Sequence, residues 1–332
     1  MRILHVTNAY PFAEIPEFGV FVKEQIAALN RAGVQADVLF VNARGEGKKA
    51  YLKGIQRVRE AAPEYDAIHC HHLYSAIVVA LARARKPVVL SFQNDWLHEV
   101  EIKFKPLQFA MCKFGVWFAD RVIFKSPIPK QFRDQGKKFV HLPNGVNASE
   151  FNITSKKESR ARLGLNPNAK YIMFVSSKDQ NRPQKRYDRF AETIRLLQGR
   201  HSNIDIRELV MVNQKREKVT DFFNSADLHL LCSDFEGSPN SVKEALCTGL
   251  PVVCTNVGNV EEMLSGVPFC FVASDYSANT LADLISQCLT LSCDRVAVRT
   301  AFLKKDLSQE AATKKLSHLY AELIGIEDLC VR

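Results

Sequence analysis

Residues 235–253 read Phe-Glu-Gly-Ser-Pro-Asn-Ser-Val-Lys-Glu-Ala-Leu-Cys-Thr-Gly-Leu-Pro-Val-Val, and Cys254 follows. The Gly-Ser-Pro turn predicts a helix start. Ser238 is suited to the N-cap and Pro239 to the first helical position, where a missing N–H costs nothing. The apolar run Pro251–Cys254 then predicts a buried strand. Unpaired N–H groups and the positive dipole end make such a helix start a place that attracts phosphate. Two carboxylates flank it, Glu236 before the helix and Glu244 five residues past Pro239. At about 1.5 Å per residue, Glu244 stands roughly 7–8 Å along the axis. That is about the step from a diphosphate to the ribose of a nucleotide. One segment therefore has the spacing to hold a sugar, a diphosphate and a ribose in a row.

The same unit, a β-branched run, a loop and a helical pattern, recurs along the chain. Strands are expected at Ile3–Thr7, Ala36–Val41, Ala67–His71, Pro87–Phe92, Arg121–Phe124 and Phe139–Leu142. In the second half they are expected at Tyr171–Val175, Glu208–Met211, Leu228–Leu231, Pro251–Cys254 and Phe269–Phe271. Helical patterns fall between them, among them Gly19–Ala32, Ser75–Ala84, Leu107–Ala119, Tyr187–Leu197 and Ala278–Leu291. This alternation argues for α/β architecture with parallel sheets covered on both faces. The turn Pro143-Asn144-Gly145 and the polar segments Asn152–Arg162 and Asn166–Asn168 read as a linker. The expected division is a first doubly wound domain over 1–150, a second over 151–306, and a C-terminal helix over 307–332 that crosses back to the first. Ligands are expected in a cleft between the domains, at the carboxyl ends of the strands.

The chain has 332 residues, 46% hydrophobic and 24% charged, which is a globular composition with room for two cores. No apolar run reaches the ~18 residues of a membrane span. Met1–Val6 reads as a first strand and not as a signal peptide. Nine cysteines occur without a Cys-x-x-Cys pair, which points to a reducing cytoplasm. The net charge is +9. Residues 101–138 hold nine Lys or Arg against three acidic residues, with Ile102, Phe104, Phe109, Phe114, Trp117 and Phe118 among them. An aromatic helix face bordered by cations fits an anionic membrane surface at the inner face of the membrane. Nucleic acid ranks behind phosphorylated ligands and lipid as an explanation of the charge.

There is no G-x-G-x-x-G and no G-x-x-x-x-G-K-[ST], which argues against a dehydrogenase and a P-loop NTPase. Glu236-Gly-Ser-Pro239, Glu244-Ala245 and Gly249-Leu-Pro-Val-Val253 instead resemble the donor-site signature of glycosyltransferase family 4. Other resemblances follow in the family's order: Pro16 to Gly19 with Val22 and Gln25, Pro143 to Val146 with Phe151, and Arg182-Pro-Gln-Lys185. The resemblance covers nearly the whole chain. It implies the GT-B fold, two Rossmann-like domains, and retaining transfer of a hexosyl unit from a UDP- or GDP-linked sugar.

It also implies roles. Glu244 holds the ribose hydroxyls and Glu236 contacts the donor sugar. Gly237, Ser238, Pro239 and Asn240 line the sugar–phosphate pocket. Lys185, with Arg182, binds the diphosphate, where fixed cations stabilise the charge that develops on the leaving group. Lys178 is the alternative second cation. Gly19 lets backbone approach the diphosphate, and Glu262, after Val257-Gly258-Asn259, lies near the nucleobase or donor. His71, His72, Gln93 and Asp95 fall on the acceptor side. Family members commonly carry His-Gly-x-Asp where this chain reads Gln93-Asn94-Asp95. Gln cannot act as a base, which agrees with a mechanism in which the donor phosphate takes the acceptor proton and leaves the handling of that proton open.

His69, His71 and His72 invite a zinc reading, but no carboxylate pair completes a site, so neither metal nor cofactor is expected. His69 is expected as a hydrogen-bonded core residue and Asp95 as a turn cap. The expected acceptor is a glycan or lipid-linked glycan in cell-surface polysaccharide synthesis. The rival readings are a sugar-nucleotide epimerase of the same architecture and a catalytically degenerate partner subunit.

Overall fold

A computed structural model describes residues 1–15, 18–99, 104–133, 135–176 and 179–326. The chain forms two compact units, Met1–Gly145 with Gln309–Arg332, and Val146–Ser308. The division falls at Gly145, before the expected 150, because Val146 and Phe151 belong to the core of the second unit.

The first unit runs β1 (Arg2–Thr7), α1 (Val20–Arg31), β2 (Gln35–Phe40), α2 (Ala43–Glu46), α3 (Lys49–Ala61), β3 (Ala67–His71), α4 (Leu73–Ala82), β4 (Val88–Phe92), α5 (Lys105–Phe118), β5 (Arg121–Phe124) and β6 (Phe139–His141). Its strands order as β2-β1-β3-β4-β5-β6, and every pairing is parallel. β3 and β4 are buried along their whole length, as helices on both faces require.

The second unit runs α6 (Lys156–Arg162), β7 (Lys170–Ser176), α7 (Tyr187–Arg200), β8 (Ile206–Val212), α8 (Arg216–Ser225), β9 (Leu228–Leu231), α9 (Asn240–Cys247), β10 (Val252–Cys254), α10 (Val260–Leu264), β11 (Phe271–Val272), α11 (Ala278–Thr290) and α12 (Arg295–Leu303). Its order, β11-β10-β9-β7-β8, repeats that of the first sheet: the opening strand is flanked by the second and third, and the rest follow in sequence. In each unit the order reverses between the first and third strands, β1/β3 and β7/β9. Ligands of open α/β sheets sit beyond the carboxyl ends of such strands.

The last helix, α13 (Gln309–Ile324), belongs to the first unit. Its Leu316, Leu319 and Tyr320 share a core with Ile3, Val22, Ile26, Leu29 and Val89. Among the described residues, no helix is long and apolar enough to cross a membrane.

Two expectations need correction. The segment Asn152–Arg162 is no plain linker, since it contains α6, capped by Ser155. Its polarity serves ion pairs: Arg160 with Asp227 at 2.7 Å, and Arg162 with Asp221 at 2.6 Å. At the segment quoted first, Pro239 is the N-cap and the helix begins at Asn240. Ser238 does not cap it, because its hydroxyl oxygen accepts from Lys243 Nζ at 3.0 Å.

Candidate functional site

The site in the second unit is assembled from loops that leave the carboxyl ends of β7 and β9. After β7 the chain turns through Pro183–Lys185, and Arg186 takes a left-handed conformation at φ 54. That geometry is strained for a side-chain-bearing residue, and contacts hold it there. The Arg186 guanidinium reaches Asp188 at 2.9 Å and Asp234 at 3.0 Å. Arg189, nearly buried, donates to Asp234 at 2.9 Å and to the Cys232 carbonyl at 2.6 Å. Gln184 adds a bond to the Phe235 carbonyl at 2.6 Å, and the Asp234 N–H donates to the Gln184 carbonyl at 3.0 Å. The basic loop is thereby laced to the loop after β9, across the point where the strand order reverses.

This lacing brings two of the expected residues together. Lys185 Nζ donates to Glu236 Oε1 at 2.7 Å, and the same oxygen accepts from Ser233 Oγ at 2.8 Å. The Lys185 and Glu236 side chains are only 12% and 11% exposed, so the pair is weakly screened. Arg182 lies one short turn earlier, half-buried, and its guanidinium has no partner among the described residues. Pro16 and Lys178 lie outside the described residues, as do Glu101, Ile102, Lys103 and Asp134.

Gly237 is held from the other side. Gly258, in the loop after β10, has φ +60, and a Cβ there would stand 2.2 Å from the Gly237 carbonyl oxygen. Only glycine permits this approach. Asn240 Oδ1 is buried without a hydrogen-bond partner among the described residues. Lys243 is fully buried beneath Ser238. Further along α9, Glu244 Oε1 accepts from Arg216 Nη1 at 3.4 Å. Glu262, in the first turn of α10, accepts from Asn259 Nδ2 at 3.5 Å and is exposed.

In the first unit, Gly19 is the N-cap of α1 at φ +70, and a Cβ there would meet the Ala9 carbonyl oxygen at 2.2 Å. The histidines make a row across β1 and β3, with Ser91 of β4 and Gln93 beyond its end as neighbours. His5 pairs with His69 in the sheet register. His5 Nδ1 and His71 Nε2 are 2.9 Å apart, and Gln93 Nε2 lies 3.5 Å from His71 Nδ1. His69 bonds Ser91 Oγ at 2.7 Å through Nε2 and the Tyr320 hydroxyl through Nδ1. His5, His69 and His71 offer nitrogens within 4.8 Å of one another. Contacts with each other, Ser91, Tyr320 and Gln93 engage the other ring nitrogens as a hydrogen-bonded row, while His5 Nε2 is buried without a hydrogen-bond partner among the described residues. Burial lowers all three below the usual imidazole value, His5 to about 3. His69 is thus the core residue expected.

His71 was expected on the acceptor side, but it is 1% exposed and its ring faces the other histidines. His72 retains exposure. It caps α4 by accepting from the Tyr74 N–H at 3.3 Å, and burial lowers it to about 4. Glu99, which the sequence gave no reason to single out, takes the N–H groups of Gln93 and Asn94, each at 2.9 Å. Burial pushes its carboxyl up to about 8. Asp95 caps the short turn that follows by accepting from Leu97 N–H at 3.0 Å.

Comparison with known proteins bears on both units. Residues 29–128 match the family model described as glycosyl transferase 4-like domain, and residues 195–291 match the model described as glycosyl transferases group 1. A Bacillus subtilis (strain 168) protein, the teichuronic acid biosynthesis glycosyltransferase TuaC, is 24% identical over 357 aligned positions, covering 86% of this chain and 89% of that protein. Sucrose-phosphate synthase from Thermosynechococcus elongatus superposes with a TM-score of 0.75 at 15% identity, over 98% of this chain and all of its own (100%). Anabaena Alr3699/HepE in complex with UDP-glucose gives 0.73 at 15% identity, over 97% and 100%.

Proposed function

The chain is a family 4-type glycosyltransferase with the GT-B fold, and from that premise we propose a specific reaction. It moves a hexosyl unit, with retention at the anomeric carbon, from a UDP- or GDP-linked sugar to a glycan or lipid-linked glycan acceptor. The context is cell-surface polysaccharide synthesis in the cytoplasm, which the likeness to a teichuronic acid glycosyltransferase supports. The observation that carries the reading is the Lys185–Glu236 pair, 2.7 Å apart at the switch point, with Glu244 further along α9.

In this reading the donor diphosphate draws Lys185 from Glu236 and takes Arg182 as a second cation. Glu236 then accepts from a donor-sugar hydroxyl and Glu244 from the ribose hydroxyls. Gly237, Ser238, Pro239 and Asn240 line the pocket, though Pro239 has no N–H to give, and Gly19 and Glu262 complete the donor contacts. The bond from the anomeric carbon to the phosphate oxygen breaks as the acceptor oxygen forms its bond on the same face. The acceptor proton passes to the departing phosphate oxygen. Lys185 and Arg182 stabilise the charge on that leaving group. The nucleotide sugar is a substrate, and the chemistry needs neither metal nor cofactor. His72, Gln93 and Asp95 serve the acceptor.

The membrane reading rests on α5. It turns Gln108, Cys112 and Gly115 inward and leaves Phe104 at 65% and Trp117 at 75% exposure, with Leu107, Phe109 and Phe114 also exposed. Lys105, Lys113, Lys137 and Lys138 supply positive charge along the same stretch, which favours an anionic surface.

A thermal-shift screen against UDP- and GDP-sugars tests the donor. A ligand at 100 times its dissociation constant adds about 2.7 kcal/mol, and no response to any nucleotide sugar overturns the reading. NMR of the product reports the anomeric configuration. Conversion of the donor sugar without acceptor reveals an epimerase instead. Cosedimentation with phosphatidylglycerol vesicles should weaken as salt rises, and absence at every salt concentration removes the lipid surface.

A further inference from the structure

Arg216 opens α8, just beyond the loop that leaves the carboxyl end of β8. Its Nε lies 2.6 Å from Glu150 Oε1, and its Nη2 donates to Glu150 Oε2 at 3.1 Å. One carboxylate thus engages the guanidinium through the Nη2 hydrogen bond and a close ion-pair contact at Nε, which restricts the fork. The plane lies over the Phe151 ring, 4.8 Å from its centroid, and Phe151 is buried. Arg299 clamps that segment in turn, donating to the Phe151 carbonyl at 2.6 Å and to the Ala148 carbonyl at 2.8 Å. The remaining nitrogen, Nη1, points to Glu244 Oε1 at 3.4 Å. This is longer than the 2.7–2.9 Å usual for charge-assisted bonds. The cation thereby faces the Glu244 carboxylate from one fixed side.

We propose that Arg216 is a positioning residue for nucleotide binding: braced by Glu150 and Phe151, it holds the Glu244 carboxylate aimed at the ribose diol. The proposal rests on the reading of Glu244 as the ribose acceptor. It names a determinant of nucleotide affinity that lies outside the donor segment and touches neither sugar nor phosphate.

The test measures binding by calorimetry on the full chain. The probes are whichever of UDP and GDP binds the natural protein, and its 2′,3′-dideoxy analogue. Glu244→Gln examines the underlying reading and should weaken the ribonucleotide but not the dideoxy analogue. Equal loss for both, or no loss, refutes the ribose role of Glu244 and the proposal with it. Given the ribose-selective result, Arg216→Gln should weaken the ribonucleotide about tenfold, the scale of one hydrogen bond to a charged group. Its affinity for the dideoxy analogue should change by less than about twofold, since the bond that Arg216 orients is already missing. Arg216→Gln with natural ribonucleotide affinity, or with equal loss on both probes, overturns the positioning role. Glu150→Gln, which loosens the brace and leaves the cation, should show a smaller loss with the same selectivity. It carries the test if Arg216→Gln does not fold.

Discussion

Lys185 and Glu236 meet as an ion pair beside the switch point of the second unit, whereas that of the first holds His5, His69 and His71 as packed neutral rings. The strand order around both places is the same. The second unit keeps its charges by pairing them and leaving them at the rim, about a tenth exposed. The first discharges its titratable groups by burying them, with Ser91 and Tyr320 as neutral partners. One topology thus supports both an ion pair at the rim and a packed polar core.

Four experiments press on that contrast. The largest effect is expected from Lys185→Ala, which should lower transfer by about 10²–10³-fold, as loss of a leaving-group stabiliser does, with the circular dichroism unchanged. A folded variant with normal turnover ends the ion-exchange picture of the second switch point.

Next comes acid. His5 is held at about 3 and His72 at about 4, with His69 and His71 also lowered by burial. Each lies below the ordinary value of 6.5, so the unfolded chain binds more protons through that window. The contribution of these histidines is full above pH 6.5 and falls as pH drops toward 4. Urea midpoints between pH 7 and 4.5 that stay constant contradict neutral burial.

His69→Phe should cost about 1–3 kcal/mol by stranding buried hydroxyls at Ser91 and Tyr320, while the affinity for nucleotide stays unchanged. Reduced nucleotide affinity in a stable His69→Phe protein blurs the division of labour between the two places.

The smallest effect is expected of Glu99→Gln. The carboxyl of Glu99 stays protonated to about 8, above the ordinary 4.5, so its contribution is whole below 4.5 and lost as pH rises through 8. At or below pH 4.5 the variant should differ by less than about 1 kcal/mol. Its advantage over the natural protein should grow toward pH 9, and a variant that loses ground there reverses the sign.

What was readable in the chain follows from how local the signal is. Ala67–His71, Arg121–Phe124 and Leu228–Leu231 form where the short runs predict them, since a strand buried on both faces keeps a mostly apolar run, interrupted here only by His69, His71, Arg121 and His229. Glu236, Gly237 and Glu244 were legible because turn, helix and strand lie within one short segment. α3 was not, because Lys49–Ala61 is largely polar and buries only Ala50, Gly54 and Val58, a narrow stripe that includes a glycine. α6 read as linker because its charges find partners on α8 and at Asp227 that the local pattern does not contain. Glu99, Arg216 and the row from Gln93 to His5 are products of cross-strand and interhelical proximity, with His5 and His71 separated by 66 positions in the chain.

The helix that closes the first unit is made after the whole of the second. Tyr320 and its neighbours on α13 fill a core whose other members come from α1 and from strands β1 to β5 and their flanks. During synthesis the amino-terminal unit therefore waits, with that apolar face uncovered, until Gln309–Ile324 have left the ribosome. The second unit, continuous from Val146 to Ser308, has all its parts in hand before then. The order of completion is the reverse of the order of translation, and any holding factor that shields nascent apolar surface has its longest task at the start of this chain.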